Sequence, residues 1–189
     1  MLSFYTDEEL KKIGFKSIGK NVKISRKCSI YSAENMEIGN DVRIDDFCVL
    51  SGRIIIHNNV HIALNVFLLS GQNSTIELHD FSGVSFRSVL MTKTDDYTGE
   101  YMSNPTIPER FTKVTEKSLT VGRHGLIGSG CIILPGANVA EGTSVGAMSF
   151  VARPTLPWKV YFGIPAKPLM DRSKHLLELE KQYLEEKNG

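Results

Sequence analysis

Residues 121–151 read VGRHGLIGSGCIILPGANVAEGTSVGAMSFV, and an aliphatic side chain returns at every sixth position: Val121, Ile127, Ile133, Val139, Val145 and Val151. Four places after most of these stands a small residue: Gly125, Cys131, Ala137, Thr143 and Ser149. A period of six is neither the helical 3.6 nor the simple alternation of a strand, although each hexad can hold a short strand. Upstream the same beat runs through Ile18, Ile24, Ile30, then Ile38, Ile44, Leu50, then Ile56, Ile62, Leu68, then Leu78, Val84, Leu90. Its partners four places on are Val22, Cys28, Val42, Cys48, Val60, Val66, Ser82 and Ser88. The phase slips near residue 36, over 70–77 and over 91–118. Three hexads make one turn of a triangular prism, with the aliphatic residue inward and the small one at the corner. Successive turns then stack at strand spacing, about 4.8 Å. Glycines just after the aliphatic residue (Gly19, Gly39, Gly122, Gly128, Gly146) and the pairs Asn40–Asp41 and Asn58–Asn59 suit tight corners. The expected fold is all-β, a parallel β-helix of hexapeptide repeats.

Outside the repeat the pattern changes. Thr6 with Glu9 is a capping box that opens a short helix through about Ile13, stopped by Gly14. Residues 171–187 are charged, leucine-spaced and free of Gly and Pro, which predicts a C-terminal helix. Residues 91–118 break the beat completely; Pro105 and Pro108 stiffen them, and their tyrosines, asparagines and carboxylates suit an ordered arm. The expected organisation is a helical cap over 1–16, the β-helix over 17–165 with the excursion 91–118, and a tail and helix over 166–189.

Composition narrows the function classes. With 22 Lys plus Arg against 21 Asp plus Glu, the net charge of +1 gives no general attraction to nucleic acid or to an anionic membrane. No apolar run approaches the roughly 18 residues that span a bilayer, and the start, MLSFYTDEELKKIGF, has no signal-peptide core. The three cysteines, Cys28, Cys48 and Cys131, are far apart and form no CxxC pair, which suits reduced thiols in a cytoplasmic protein.

The hexads of IGSGCIILPGANVAEGTSVGAMSFVAR, followed by FGIPAKPL, resemble the hexapeptide-repeat acyltransferases, and within them the sugar acetyltransferase branch. That branch includes galactoside and maltose O-acetyltransferases and the acyltransferases of nucleotide-linked amino-deoxy sugars. The resemblance spans about residues 15–170 and implies a left-handed coil, a homotrimer, and acetyl-CoA or another short acyl-CoA as co-substrate, bound between two prisms. It implies that the pantetheine arm runs near Ser129, Gly130, Ala147 and Ser149, and that the nucleotide end of CoA meets Arg153 and Lys167. The chemistry agrees: small residues let an extended ligand lie against backbone, and Arg and Lys neutralise phosphates.

The O-acetyltransferases of this family carry a histidine base in the long loop, and here the matching position is Asp95. A sugar hydroxyl needs an imidazole to take its proton during attack, whereas an amine titrates nearer neutrality, about 8 for an α-amino group. A neutral amine needs orientation and a proton acceptor, which the carboxylates Asp95, Asp96 and Glu100 can supply. The acceptor expected is therefore the amine of a nucleotide-linked amino-deoxy sugar used in surface polysaccharide, with a sugar hydroxyl as the alternative. Tyr97 and Tyr101 could stack on an acceptor ring or anchor the arm on a neighbouring subunit. Ser85 and Arg87, on the coil below the arm, could orient the acceptor. His61, in NVHIALN, resembles a histidine that lines the acyl site in some amino-sugar members and is the alternative base. His57, His79, His124 and His175 read as surface residues. No cysteine or serine sits in a nucleophile setting, so direct attack on the thioester is expected. No metal is expected, since three histidines in the arrangement of a γ-type carbonic anhydrase are missing. The remaining alternatives are a zinc enzyme like the γ-type carbonic anhydrases and a non-catalytic trimeric scaffold.

Overall fold

The computed structural model describes residues 3–188. Three parallel sheets form the faces of a prism. The first stacks Ser17–Ile18, Met36–Ile38, Ile54–Ile56, Ile76–Leu78 and Leu119–Val121. The second stacks Lys23–Ile24, Arg43–Ile44, His61–Ile62, Gly83–Val84, Leu126–Ile127, Ser144–Val145 and Lys159–Phe162. The third stacks Ser29–Tyr31, Val49–Ser51, Phe67–Leu69, Val89–Met91, Ile132–Ile133 and Phe150–Val151.

The repeat is the register of these sheets. Ile18 pairs with Ile38, Ile44 with Ile62, Leu50 with Leu68, and Val84 with Ile127. Ile24, Ile44, Leu50, Ile62, Leu68, Leu78, Leu90, Ile127 and Ile133 are fully buried. Val42, Cys48, Val60, Val66, Ser88, Cys131, Ala137 and Thr143, the residues four places on, are buried with them. They point inward and fill the corners of a narrow core, which is why they must be small.

Between hexads the backbone turns through left-handed residues. On the corner joining the first and second faces these are Asn21, Asp41 and Asn59, with φ of 54°, 56° and 56°. Asn and Asp tolerate this region. Phe81, His124 and Trp158 occupy the same corner higher up, where bulky side chains are disfavoured. Their rings line up instead, Phe81 stacking on His124 with centroids 5.3 Å apart and His124 lying 6.4 Å from Trp158.

The N-terminal helix runs Asp7–Ile13, with the Thr6–Glu9 capping box formed and Gly14 left-handed at its end. The C-terminal helix runs Leu176–Asn188 and starts five residues later than expected. The reason is pairing: Lys167–Asp171 returns as an antiparallel strand on Lys159–Phe162, and Arg172 donates to the carbonyls of His124 and Gly142. The helix covers the aromatic corner. Tyr183 donates to Asn59, Lys187 pairs with Asp41, and Glu180 accepts from His124 Nε2 at 2.7 Å and pairs with Arg123. His124 is thus buried beneath a helix, not solvated as its sequence position suggested. Desolvation and the nearby Arg123 and Arg172 guanidiniums hold its pKa below the usual value.

The phase slips have structural causes. A short 3-10 turn, Ala33–Asn35, occupies the first, a loop over 70–75 the second, and the arm the third. Glycine is required where coils nearly touch. A methyl on Gly128 would lie 2.6 Å from the Ala147 nitrogen and 2.7 Å from the Val145 oxygen, whereas on Gly83 its nearest neighbour is Leu126 Cδ1 at 3.5 Å. Gly128→Ala should therefore cost about 1–3 kcal/mol, while Gly83→Ala stays within about 0.5 kcal/mol. Thermal unfolding of the two variants checks this, and equal melting temperatures would contradict it.

Candidate active site

The arm is rooted at the corner where the third face ends. Gly71 N–H donates to the buried Thr92 Oγ1 at 2.8 Å, and the Glu116 carboxylate accepts from Asn73 N–H and Ser74 Oγ, each at 2.7 Å. The Ser74 bond, with the others, holds the Glu116 carboxyl below the usual range. From this root Lys93–Asp95 and Val114–Glu116 form an antiparallel stem, with Asp95 opposite Val114. Asp95 is half-buried, and one of its oxygens accepts from Asn104 N–H at 3.3 Å.

The neighbouring acids differ. Asp96 accepts from Thr98 N–H, Thr98 Oγ1 and Gly99 N–H, closing the turn 96–99. Desolvation raises its pKa, but these hydrogen bonds outweigh it and hold the carboxyl below the usual range. These bonds make Asp96 the former of the 96–99 turn. Glu100 is exposed, as is Tyr97; Tyr101 lies beneath Lys113 Nζ, 5.0 Å from its ring centre.

Ser85 follows Val84 on the prism, half-buried, with its N–H bonded to Ile127 O at 2.8 Å. Among the described residues its hydroxyl has no hydrogen-bond partner, so it can serve a ligand. Arg87 sits at the next corner, exposed and left-handed at φ 61°. His61 lies on the second face with Nε2 2.8 Å from Asp45 Oδ2, and Asp45 also holds Arg43 at 2.7 Å. His61 pairs with Gly83 one coil above, in a different sheet from the stem of the arm.

Ser129–Gly130 and Ala147 lie on consecutive coils at the corner between the second and third faces, where Met148 N–H donates to Ser129 O at 2.8 Å. Ser149 is 2% exposed and its Oγ accepts from Gly163 N–H at 3.1 Å, which fastens the GIPAK loop. The loop lies on the last strand of the third face through Phe150 N–H to Gly163 O and Ala166 N–H to Phe150 O. Arg153 and Lys167 are brought together there, lining a cavity of 480 Å³ with Val151, Pro154, Tyr161 and Ala166.

A larger groove of 800 Å³, which the sequence reading missed, runs below the arm root. Lys16, Ser32, Ser51, Arg53, Ser70 and Gln72 line it. Lys16 pairs with Glu37 at 2.8 Å, while Arg53 makes no ion pair among the described residues. Of the thiols, Cys48 and Cys131 are buried and Cys28 is half-buried, and burial pushes the Cys131 thiol up.

No protein-family model matches the chain. A dTDP-4-amino-4,6-dideoxy-D-glucose acyltransferase of Escherichia coli is 44% identical over 183 residues, 95% of this chain and 94% of that protein. The crystal structure of AntD, an N-acyltransferase from Bacillus cereus in complex with dTDP and 3-hydroxybutyryl-CoA, is 42% identical with a TM-score of 0.97 and covers 100% of both chains. AntD has also been crystallised with a serine or an aspartate substituted, two positions ten residues apart. WbbJ of E. coli K12, a putative lipopolysaccharide biosynthesis O-acetyl transferase, is 28% identical over 74% of this chain and 70% of that protein. With a coiled prism, a cationic cavity beside the GIPAK loop, an acidic arm and such identity along nearly its whole length, the chain belongs to the CoA-dependent, hexapeptide-repeat acyltransferases of nucleotide-linked amino sugars.

Proposed function

We propose that this chain transfers a short acyl group from acyl-CoA to the amine of a dTDP-linked 4-amino-4,6-dideoxy sugar, with Asp95 accepting the proton that the amine loses. The observation that carries this reading is a spacing. Ser85 and Asp95 stand ten residues apart, as do the serine and aspartate substituted in AntD, whose structures hold dTDP-4-amino-4,6-dideoxyglucose and CoA. In the reaction the neutral amine nitrogen attacks the thioester carbonyl carbon, the C–S bond breaks, and CoA leaves as a thiol after taking up a proton. Asp95 relieves the nitrogen of its proton, and the Ser85 hydroxyl orients the acceptor. No acyl-enzyme forms.

The nucleotide end of CoA is assigned to the Arg153–Lys167 cavity, with the pantetheine arm along Ser129, Gly130 and Ala147. The acceptor's diphosphate is assigned to the groove that holds Arg53, because a guanidinium with no ion pair among the described residues suits an anion there, although Glu34 also lines the groove. Glu100, Tyr97, Tyr101 and Arg87 are placed around the sugar.

We place this site at each interface between copies of a homotrimer. The outward residues of the third face support this: Tyr31, Val49, Phe67, Leu69, Val89 and Ile132 are apolar, and Tyr31 is 58% exposed in the lone chain. No helix among the described residues is long and apolar enough to cross a membrane. The reaction belongs in the cytoplasm, where acyl-CoA is available, and its product in surface polysaccharide assembly, a setting WbbJ shares by its description.

One observation favours a second reading. The His61–Asp45 hydrogen bond is the pairing of a base with an orienting carboxylate, which suits a sugar hydroxyl as acceptor. Matched 4-amino and 4-hydroxy dTDP sugars, compared by the rate of CoA release, separate the two. The amino sugar should be turned over and the hydroxy sugar should not. Turnover of the hydroxy sugar alone would reject the amine reading.

A further inference from the structure

The first face carries a cluster that the acyl-transfer reading does not use. His57 and His79 each stand one residue past an inward aliphatic, on Ile56 and Leu78, which pair with each other across two consecutive coils. Their rings stack with centroids 4.8 Å apart and planes within 6°. Glu77 points outward two residues before His79, paired in register with Ile55. Both imidazoles turn Nε2 toward one of its oxygens, His57 at 2.8 Å and His79 at 3.6 Å. All three ligand atoms lie within 4.8 Å of one another.

We propose that His57, Glu77 and His79 form a binding site for one divalent ion of the zinc class, clipping two coils together on the outside of the prism. Two imidazoles and a carboxylate are the ligand types that borderline ions prefer. The sheet register presets their separation, so most of the ordering is done by the fold. Bringing each donor to the roughly 2.0–2.2 Å of a zinc bond requires only that the stacked rings open by side-chain rotation. Gly39 and Gly122, one coil below and one coil above, put no side chain against the rings. The three side chains are 37%, 33% and 38% exposed, so an ion can enter from solvent and keep water on its open positions. Glu37, diagonally below, adds negative charge, although Lys16 neutralises part of it. The neighbouring Asp80 is already committed to Asn58 and Arg123 and is no ligand. The site lies on the first face, apart from the apolar strip of the third face.

ZnCl₂ titrated calorimetrically into the metal-free full chain should bind one ion per chain. His57→Gln and His79→Gln should each weaken binding by more than the roughly 10–100-fold that loss of an outer-shell partner costs, and Glu77→Gln should weaken it too. Thermal unfolding in EDTA should be the same for all four proteins, which shows that the variants fold. Co²⁺ should give visible bands without the near-ultraviolet charge-transfer bands of thiolate ligands. Absence of zinc binding, binding unchanged in His79→Gln, or thiolate bands would each overturn the proposal.

Discussion

Asp95→Asn should turn over the nucleotide amino sugar at least about 100-fold more slowly than the unaltered chain, with the KM for acyl-CoA unchanged. The effect is large because, in this reading, the proton passes to Asp95 before the C–S bond breaks. An amine that attacks a thioester becomes positively charged at nitrogen, and the intermediate reverts unless that proton leaves. Asp95 is held by the stem opposite Val114, with one oxygen accepting from Asn104 N–H. Asparagine fills the same space and keeps the Asn104 contact but cannot accept a proton at that pH, so binding persists while kcat falls. Asp96→Asn provides the control. Its side chain closes a turn through Thr98 and Gly99, a task that an amide oxygen also performs, so kcat should change little. Steady-state kinetics following CoA release measures both. Unaltered turnover in Asp95→Asn, or an equal loss in Asp96→Asn, would remove Asp95 from the mechanism.

Leu68→Ala should destabilise the chain by about 2–5 kcal/mol, the range for emptying a buried leucine site. Leu68 is fully buried and sits in register between Leu50 on the coil below and Leu90 on the coil above. Ile56 and Ile62, from the other two faces of the same coil, fill the core beside it, and parallel pairing on every face holds the backbone apart, so neighbours cannot collapse into the gap. For a chain of 189 residues the expected fall in Tm is roughly 4–20 °C, at about 2–4 °C per kcal/mol. Differential scanning calorimetry at one fixed protein concentration checks it. A loss below about 1 kcal/mol would mean that the core relaxes as no tightly packed coil does.

The hexads made the fold readable because each coil repeats one geometric demand: an aliphatic residue inward, a small one beside it, a turn between. Ile127 and Cys131 obey that demand as plainly as Ile62 and Val66. What stayed hidden depends on stacking between coils. Phe81, His124 and Trp158 adopt a backbone conformation that none of them favours locally, and the ladder of rings under the C-terminal helix compensates. The late start of that helix came from strand pairing of residues 167–171, which charge and leucine spacing do not signal. The same holds at the site. Arg153 and Lys167 were legible beside GIPAK, and they share a cavity. Ser149 occupies an inward repeat position, so the hexad rule itself points to its burial. The groove around Arg53 and the His57–Glu77–His79 cluster draw residues from separate coils, and the slip over 70–77 blurs the offset that aligns them.

The most direct test is the linkage in the product. The chain, incubated with acyl-CoA and dTDP-4-amino-4,6-dideoxyglucose, should release one CoA for each acylated sugar, and mass spectrometry should find the acyl group still attached after hydroxylamine treatment, as an amide at the sugar nitrogen. An acyl group lost to hydroxylamine, marking an ester on a hydroxyl, would contradict the account, as would CoA release without any acylated nucleotide sugar.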